Sequence, residues 1–198
     1  MMKFDRPPQP SFLVKNYKRW GKEQKAKRLQ DPTASFQWRS FQGKRVNEHL
    51  LEALTPAAKN HCAFCDGYPL GTFARQTLEH FRPKSLYPQL AYVWWNLFVC
   101  CDQCQANKGE NFDRKLLKPD RVDYAFERFF IINYRNGEIE INPKASAADQ
   151  ERAQITIEMY GLNRHGRPQS RLSEYRKFQD LRDKGYSLDD FSYRFFME

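Results

Sequence analysis

The apolar residues of this chain recur with two different periods, and the changes of period mark out its elements. Between residues 12 and 30, Phe12, Leu13, Tyr17 and Trp20 fall near one face of a 3.6-residue repeat. That pattern predicts a basic helix, broken at Asp31-Pro32. Val46, Leu50, Leu51 and Leu54 repeat the same spacing, so a second helix is expected over about 38–54, with Pro56 as its stop. Residues 60–118 lose the helical period, and short segments there alternate with turn residues. At 127–142, the runs Phe129-Phe130-Ile131-Ile132 and Glu138-Ile139-Glu140-Ile141 flank Asn136-Gly137, a dipeptide suited to a tight primed hairpin turn. Helical spacing returns over 147–162, with Ala153, Ile157, Met159 and Tyr160, and over 169–184, with Leu172, Tyr175, Phe178 and Leu181. Ahead of the first helix, Pro7, Pro8 and Pro10 favour an extended arm over 1–11. Near the other end, Phe191, Tyr193, Phe195 and Phe196 are too apolar to leave in water, so either this chain or a docking partner must cover them. The expected fold class is α+β, in three parts: an arm and basic helices over 1–55, a distinct centre over 56–118, and a hairpin with helices over 119–198.

Composition adds a partner to this picture. The 198 residues carry a net charge of +9, and aromatics make up 15% of them, which argues against disorder. The charge is concentrated at the front: +7 over 1–55, +3 over 56–118 and −1 over 119–198. Such a balance favours polyanions through phosphate contacts, or else marks an ordinary solvated surface. No apolar run reaches the length of a membrane span, and Met1 to Pro10 hold no signal-peptide core. The expectation is a cytoplasmic protein without membrane contact, in which paired cysteines serve metals rather than disulfides.

Those cysteines carry the firmest chemistry. Cys62 and Cys65 are spaced C-x2-C, and Cys101 and Cys104 repeat the spacing. Two-residue gaps let both sulfurs of a pair face one ion, so the four thiolates predict a closed tetrahedral zinc site. With four protein ligands the zinc is structural. Cys100 has the wrong spacing and reads as a small buried residue, and His61 is a substitute ligand in reserve.

Between the pairs lie Glu79-His80-Phe81-Arg82-Pro83-Lys84-Ser85 and then Trp95-Asn96-Leu97; after the second pair come Gln105-Ala106-Asn107-Lys108-Gly109. An acid beside a histidine is common by chance, and an Asn-Leu dipeptide means less. Their order and spacing within the cysteine frame are what distinguish them. Over about residues 60–112 this arrangement resembles the HNH, or ββα-metal, nuclease family, and within it the HNH component of Septu anti-phage systems.

The resemblance implies a zinc-stabilised ββα core and hydrolysis of nucleic-acid phosphodiesters. It implies His80 as general base, Glu79 as a ligand of a catalytic magnesium or manganese ion, and Asn96 as a brace that orients His80 by a hydrogen bond. The second ligand is open between Gln105, which stands where the family has Asn or His, and Asn107. Arg82, Lys84 and Lys108 are candidate phosphate contacts. The resemblance also implies a PtuA-like ABC ATPase as regulator, with the aromatic tail as one possible dock. The competing reading is a non-catalytic, zinc-stabilised nucleic-acid-binding or adaptor module. DNA and RNA are not distinguished.

Overall fold

The computed structural model describes residues 1–72 and 74–197. Helix α1 (Ser11–Gln30) leads into a small hairpin, β1 (Ser40–Phe41) and β2 (Lys44–Arg45), and then α2 (Val46–Ala57). A second antiparallel pair, β3 (Gln76–His80) and β4 (Leu97–Cys101), runs directly into α3 (Asp102–Lys108). A helical turn α4 (Phe126–Phe129) precedes the pair β5 (Phe130–Asn133) and β6 (Glu138–Ile141), and the helices α5 (Ala147–Met159) and α6 (Arg167–Leu181) follow. The class is α+β, with two-stranded sheets only among the described residues.

The buried side chains form one cluster that takes members from every part of the chain. Leu13 and Trp20 of α1, Leu50 and Leu54 of α2, Phe98 of β4, Tyr160 after α5 and Phe196 near the end all belong to it. Gly21 sets the distance between α1 and the loop before β4. A Cβ there would lie 2.4 Å from the Gln89 carbonyl oxygen, so no larger residue fits at that approach.

Three expectations are corrected. The second helix starts at Val46, not near 38, because Gln42 and Gly43 both take positive φ (48° and 79°) and turn β1 back onto β2. That is the primed two-residue turn, formed here by Gln-Gly. Pro56 does not stop the helix but sits in its last turn. The hairpin expected over 127–142 forms over Phe130–Ile141, after a helical turn, and its turn is not Asn136-Gly137 alone. Asn133 pairs with Glu138, which leaves a four-residue loop. Asn133 organises it by accepting the amides of Arg135 (3.0 Å) and Asn136 (3.4 Å) on its side chain, and Gly137 closes it at φ 81°.

The arm and the tail are both packed on the chain itself. Arg6 donates to the carbonyl oxygens of Trp94 and Leu97 and pairs with Asp120 at 2.7 Å, while Trp94 Nε1 donates to the Pro7 carbonyl. Phe191, Phe195 and Phe196 are buried, and Phe195 stacks on Phe126 at 4.6 Å. The aromatic tail is therefore covered by its own chain, so its apolar side chains do not require a docking partner to leave water. Among the described residues no helix is long and apolar enough to cross a membrane.

Candidate metal centre and active site

The two cysteine pairs arrive from different elements and meet. Cys62 and Cys65 occupy the knuckle after α2, tied to β4 by the Ala63 amide donating to the Val99 carbonyl (3.1 Å). Cys101 ends β4 and caps α3, its sulfur accepting the Cys104 amide at 3.4 Å. All four sulfurs are buried and lie within 4.8 Å of one another. The Cys65 and Cys101 sulfurs are 3.8 Å apart. A zinc ion at about 2.3 Å from each of four sulfurs sets their separation at about 3.8 Å, so the donor set and its spacing fit zinc. Burial pushes the Cys62 and Cys104 thiols up, while the Cys101, Cys104 and Cys62 thiols donating to Cys65 hold its pKa well down. As zinc ligands the four would be thiolates, and the centre would carry net negative charge.

Arg167 answers that charge. It is buried, donates to the carbonyl oxygens of Tyr160 and Gly161, and directs Nη2 at Cys104 Sγ (3.2 Å) and Cys101 Sγ (3.8 Å). Burial alone lowers its pKa, but the four cysteines outweigh burial and raise it. His61 is no ligand: its ring nitrogens face the Lys59 (2.6 Å) and Phe191 (3.0 Å) carbonyls. Cys100 lies apart from the four, buried beside Thr77.

Glu79, His80 and Gln105 line one cleft of about 180 Å³, together with Lys84 and Glu110. His80 is 5% exposed, and its Nε2 lies 3.0 Å from the Ala91 carbonyl oxygen. A carbonyl only accepts, so that nitrogen carries the proton and the lone pair is left on Nδ1. The Trp38 ring stacks on the imidazole at 5.4 Å and 16°, with Phe36 edge-on at 5.6 Å. Burial, reinforced by the Lys84 charge, pushes the His80 pKa down to about 3, which keeps the ring neutral near pH 7. Gln105 donates Nε2 to the Leu78 carbonyl (3.0 Å), which fixes its amide beside Glu79. Asn107 turns the other way, bonded to the Tyr160 carbonyl and to His165, and does not reach the cleft.

Three expected contacts differ. Asn96 is buried and uses its side chain entirely on the loop: Oδ1 accepts the Arg82 amide (2.8 Å), and Nδ2 donates to the Arg82 (3.1 Å) and Leu90 (3.2 Å) carbonyls. It braces the loop that carries Ala91, but Ala91 rather than Asn96 bonds His80. Lys108 is not a surface phosphate contact. It is fully buried, with Nζ 2.6 Å from Glu79 Oε1 and 3.0 Å from the His80 carbonyl oxygen. Burial still raises the Glu79 pKa, with Lys108 opposing it. Arg82 points its guanidinium at the Phe112, Trp95 and Tyr87 rings, 5.4–5.7 Å from their centroids. Of the three basic candidates, only Lys84 lines the cleft.

The sequence reading missed Trp38, Phe36, Glu110 and the Ala91 carbonyl. A main-chain acceptor carries no residue-type signal. The aromatic pair lies far from the motif in sequence, and only tertiary packing brings it to His80.

The site combines a buried four-cysteine centre of zinc type with an acid–histidine cleft on one strand–strand–helix unit. No protein-family model matches the chain. A curated relative, Septu protein PtuB from Bacillus thuringiensis, is 30% identical over 88 residues, which is 43% of this chain and 34% of the relative. The chain is therefore a distant homologue of PtuB, the relationship that the motif wording pointed to. The match takes in about a third of the relative's length.

Proposed function

We propose that this chain is a metal-dependent endonuclease of the HNH type, with the β3–β4–α3 unit as its ββα core, acting in a Septu-like anti-phage system under the control of a PtuA-like ABC ATPase. The observation that carries the reading is the convergence of Glu79, His80 and Gln105 on one cleft beside the cysteine centre. His80 Nδ1 takes the proton from the attacking water, while the Ala91 carbonyl holds the imidazole in the tautomer that leaves Nδ1 free. Trp38 fixes the ring plane. Glu79 and Gln105 offer oxygens that suit magnesium or manganese, and such an ion, when bound, stabilises the charge developing on the phosphate. Lys84 attracts the substrate backbone from the rim.

One observation favours a second reading. Lys108 already neutralises Glu79, as expected of a cleft that binds nucleic acid without cutting it. His80→Ala separates the two. The purified chain, with and without the ATPase, is incubated with plasmid DNA and with cellular RNA in magnesium or manganese. The nuclease reading expects cleavage that falls at least about 100-fold in His80→Ala while binding persists. Binding with no cleavage by the unaltered chain under every condition would favour the binding module instead.

A further inference from the structure

A second cleft of about 200 Å³ adjoins the first and shares Lys84 and Glu110 with it; Arg28, Phe36 and Ser85 complete the relevant wall. Three donors surround it: the Arg28 guanidinium, the Lys84 ammonium and the Ser85 hydroxyl. Arg28 Nη1 donates to the Ala34 carbonyl (3.1 Å), and the other two donors are engaged by one carboxylate. Ser85 Oγ donates to Glu110 Oε2, and Lys84 Nζ stands 3.9 Å from Glu110 Oε1. Lys84 also lies 5.5 Å over the Phe36 ring, and Phe36 touches His80, so the two clefts meet at the proposed base. A phosphodiester accepts from the same donors as a carboxylate. The Glu110 side chain is 59% exposed and can swing into solvent without breaking any buried contact.

We propose that Arg28, Lys84 and Ser85 form a subsite for a phosphate of the nucleic-acid backbone next to the one being cut, and that Glu110 occupies it in the unliganded protein. The inference rests on the nuclease reading for the identity of the ligand. Substrate then competes with an internal anion for each binding event. An exposed ammonium–carboxylate pair is weak, so releasing it tightens binding by about two- to fivefold.

The test uses the zinc-loaded 198-residue chain carrying His80→Ala, and short labelled DNA and RNA oligonucleotides across a salt series. Glu110→Ala is expected to tighten binding about two- to fivefold. Lys84→Ala is expected to weaken it, to lower the log–log salt slope by about one and to abolish the gain from Glu110→Ala. Ser85→Ala and Arg28→Ala should each weaken binding too. Unchanged or weaker binding in Glu110→Ala, or a gain that survives Lys84→Ala, overturns the proposal. So does a loss of manganese affinity in Glu110→Ala, measured by titration calorimetry, because Glu110 would then be a metal ligand. If neither DNA nor RNA binds the unaltered chain or any variant, the nucleic-acid reading itself fails. Binding by the unaltered chain that ignores Glu110 sinks only the subsite.

Discussion

Lys108 and Glu79 form a buried ion pair, and the sign of its contribution depends on what replaces it. Removing one partner leaves a charge buried alone, which costs about 3–5 kcal/mol; replacing both with apolar side chains is often neutral. Lys108→Met and Glu79→Leu should therefore each destabilise the zinc-loaded protein by about 3 kcal/mol or more, while the double variant recovers most of the loss. Urea unfolding of the four proteins measures this coupling, and simple additivity would contradict it. The same pair shows where residue-level reading stops. The cysteine ligands were legible because C-x2-C spacing is itself the chemistry. Lys108, in the polar run Gln105-Ala106-Asn107-Lys108-Gly109, looked like surface charge. Its burial follows from the aim of α3 at β3, which no local pattern contains. Asn96 was legible as a brace, but its partners were not, because they are the amide and carbonyls of Arg82 and Leu90 rather than side chains.

Elements were readable wherever a long apolar stripe fixed the period, and misread wherever a turn decided the boundary. α1, α5 and α6 fall close to their expected spans. The second helix was extended backward by eight residues, across Trp38 and the β1–β2 hairpin. Trp38 is used against His80 and Phe41 stacks on Phe12 at 4.8 Å. The Gln42-Gly43 turn that frees them is a weaker signal than Asn-Gly. Conversely, Asn136-Gly137 was read too strongly, because the Asn133 side chain had already begun the loop. Between α1 and the loop it meets, Gly21 offers a test at this scale. Gly→Ala in a helix ordinarily stabilises by about 1 kcal/mol. Here the added methyl would meet the Gln89 carbonyl oxygen at 2.4 Å, a main-chain atom that cannot rotate aside. The steric cost of overpacking, about 1–3 kcal/mol, should win. Gly21→Ala is thus expected to lower the urea midpoint, and a raised midpoint would show that α1 is free to move off this loop.

The molecule as a whole is closed around its cysteine centre. The knuckle of Cys62 and Cys65 leads to Asp66, which accepts Arg194 through its amide (2.7 Å) and its guanidinium (2.6 Å) and so binds the aromatic tail. Cys101 and Cys104 hold the end of β4 to the start of α3, and Arg167 joins both sulfurs to the start of α6. Four thiolates around a divalent ion leave two net negative charges in a buried place, and Arg167 is the cation that reaches them. Zinc binding at such centres contributes on the order of 10 kcal/mol, comparable to the whole stability of a domain. Stripping the zinc with a chelator should therefore unfold the chain cooperatively, with α6 and the aromatic tail released together in hydrogen exchange, and not merely loosen residues 60–105. Groups that orient or neutralise metal ligands typically contribute about 10–100-fold in affinity. Arg167→Met should then lose zinc to a competing chelator at about 10-fold lower chelator concentration, with Arg167→Lys intermediate because it keeps the charge without the planar fork. Unaltered zinc affinity in Arg167→Met would mean that the tetrathiolate charge is balanced by main-chain amides alone. The contact to Arg167 would then be packing rather than part of the metal centre.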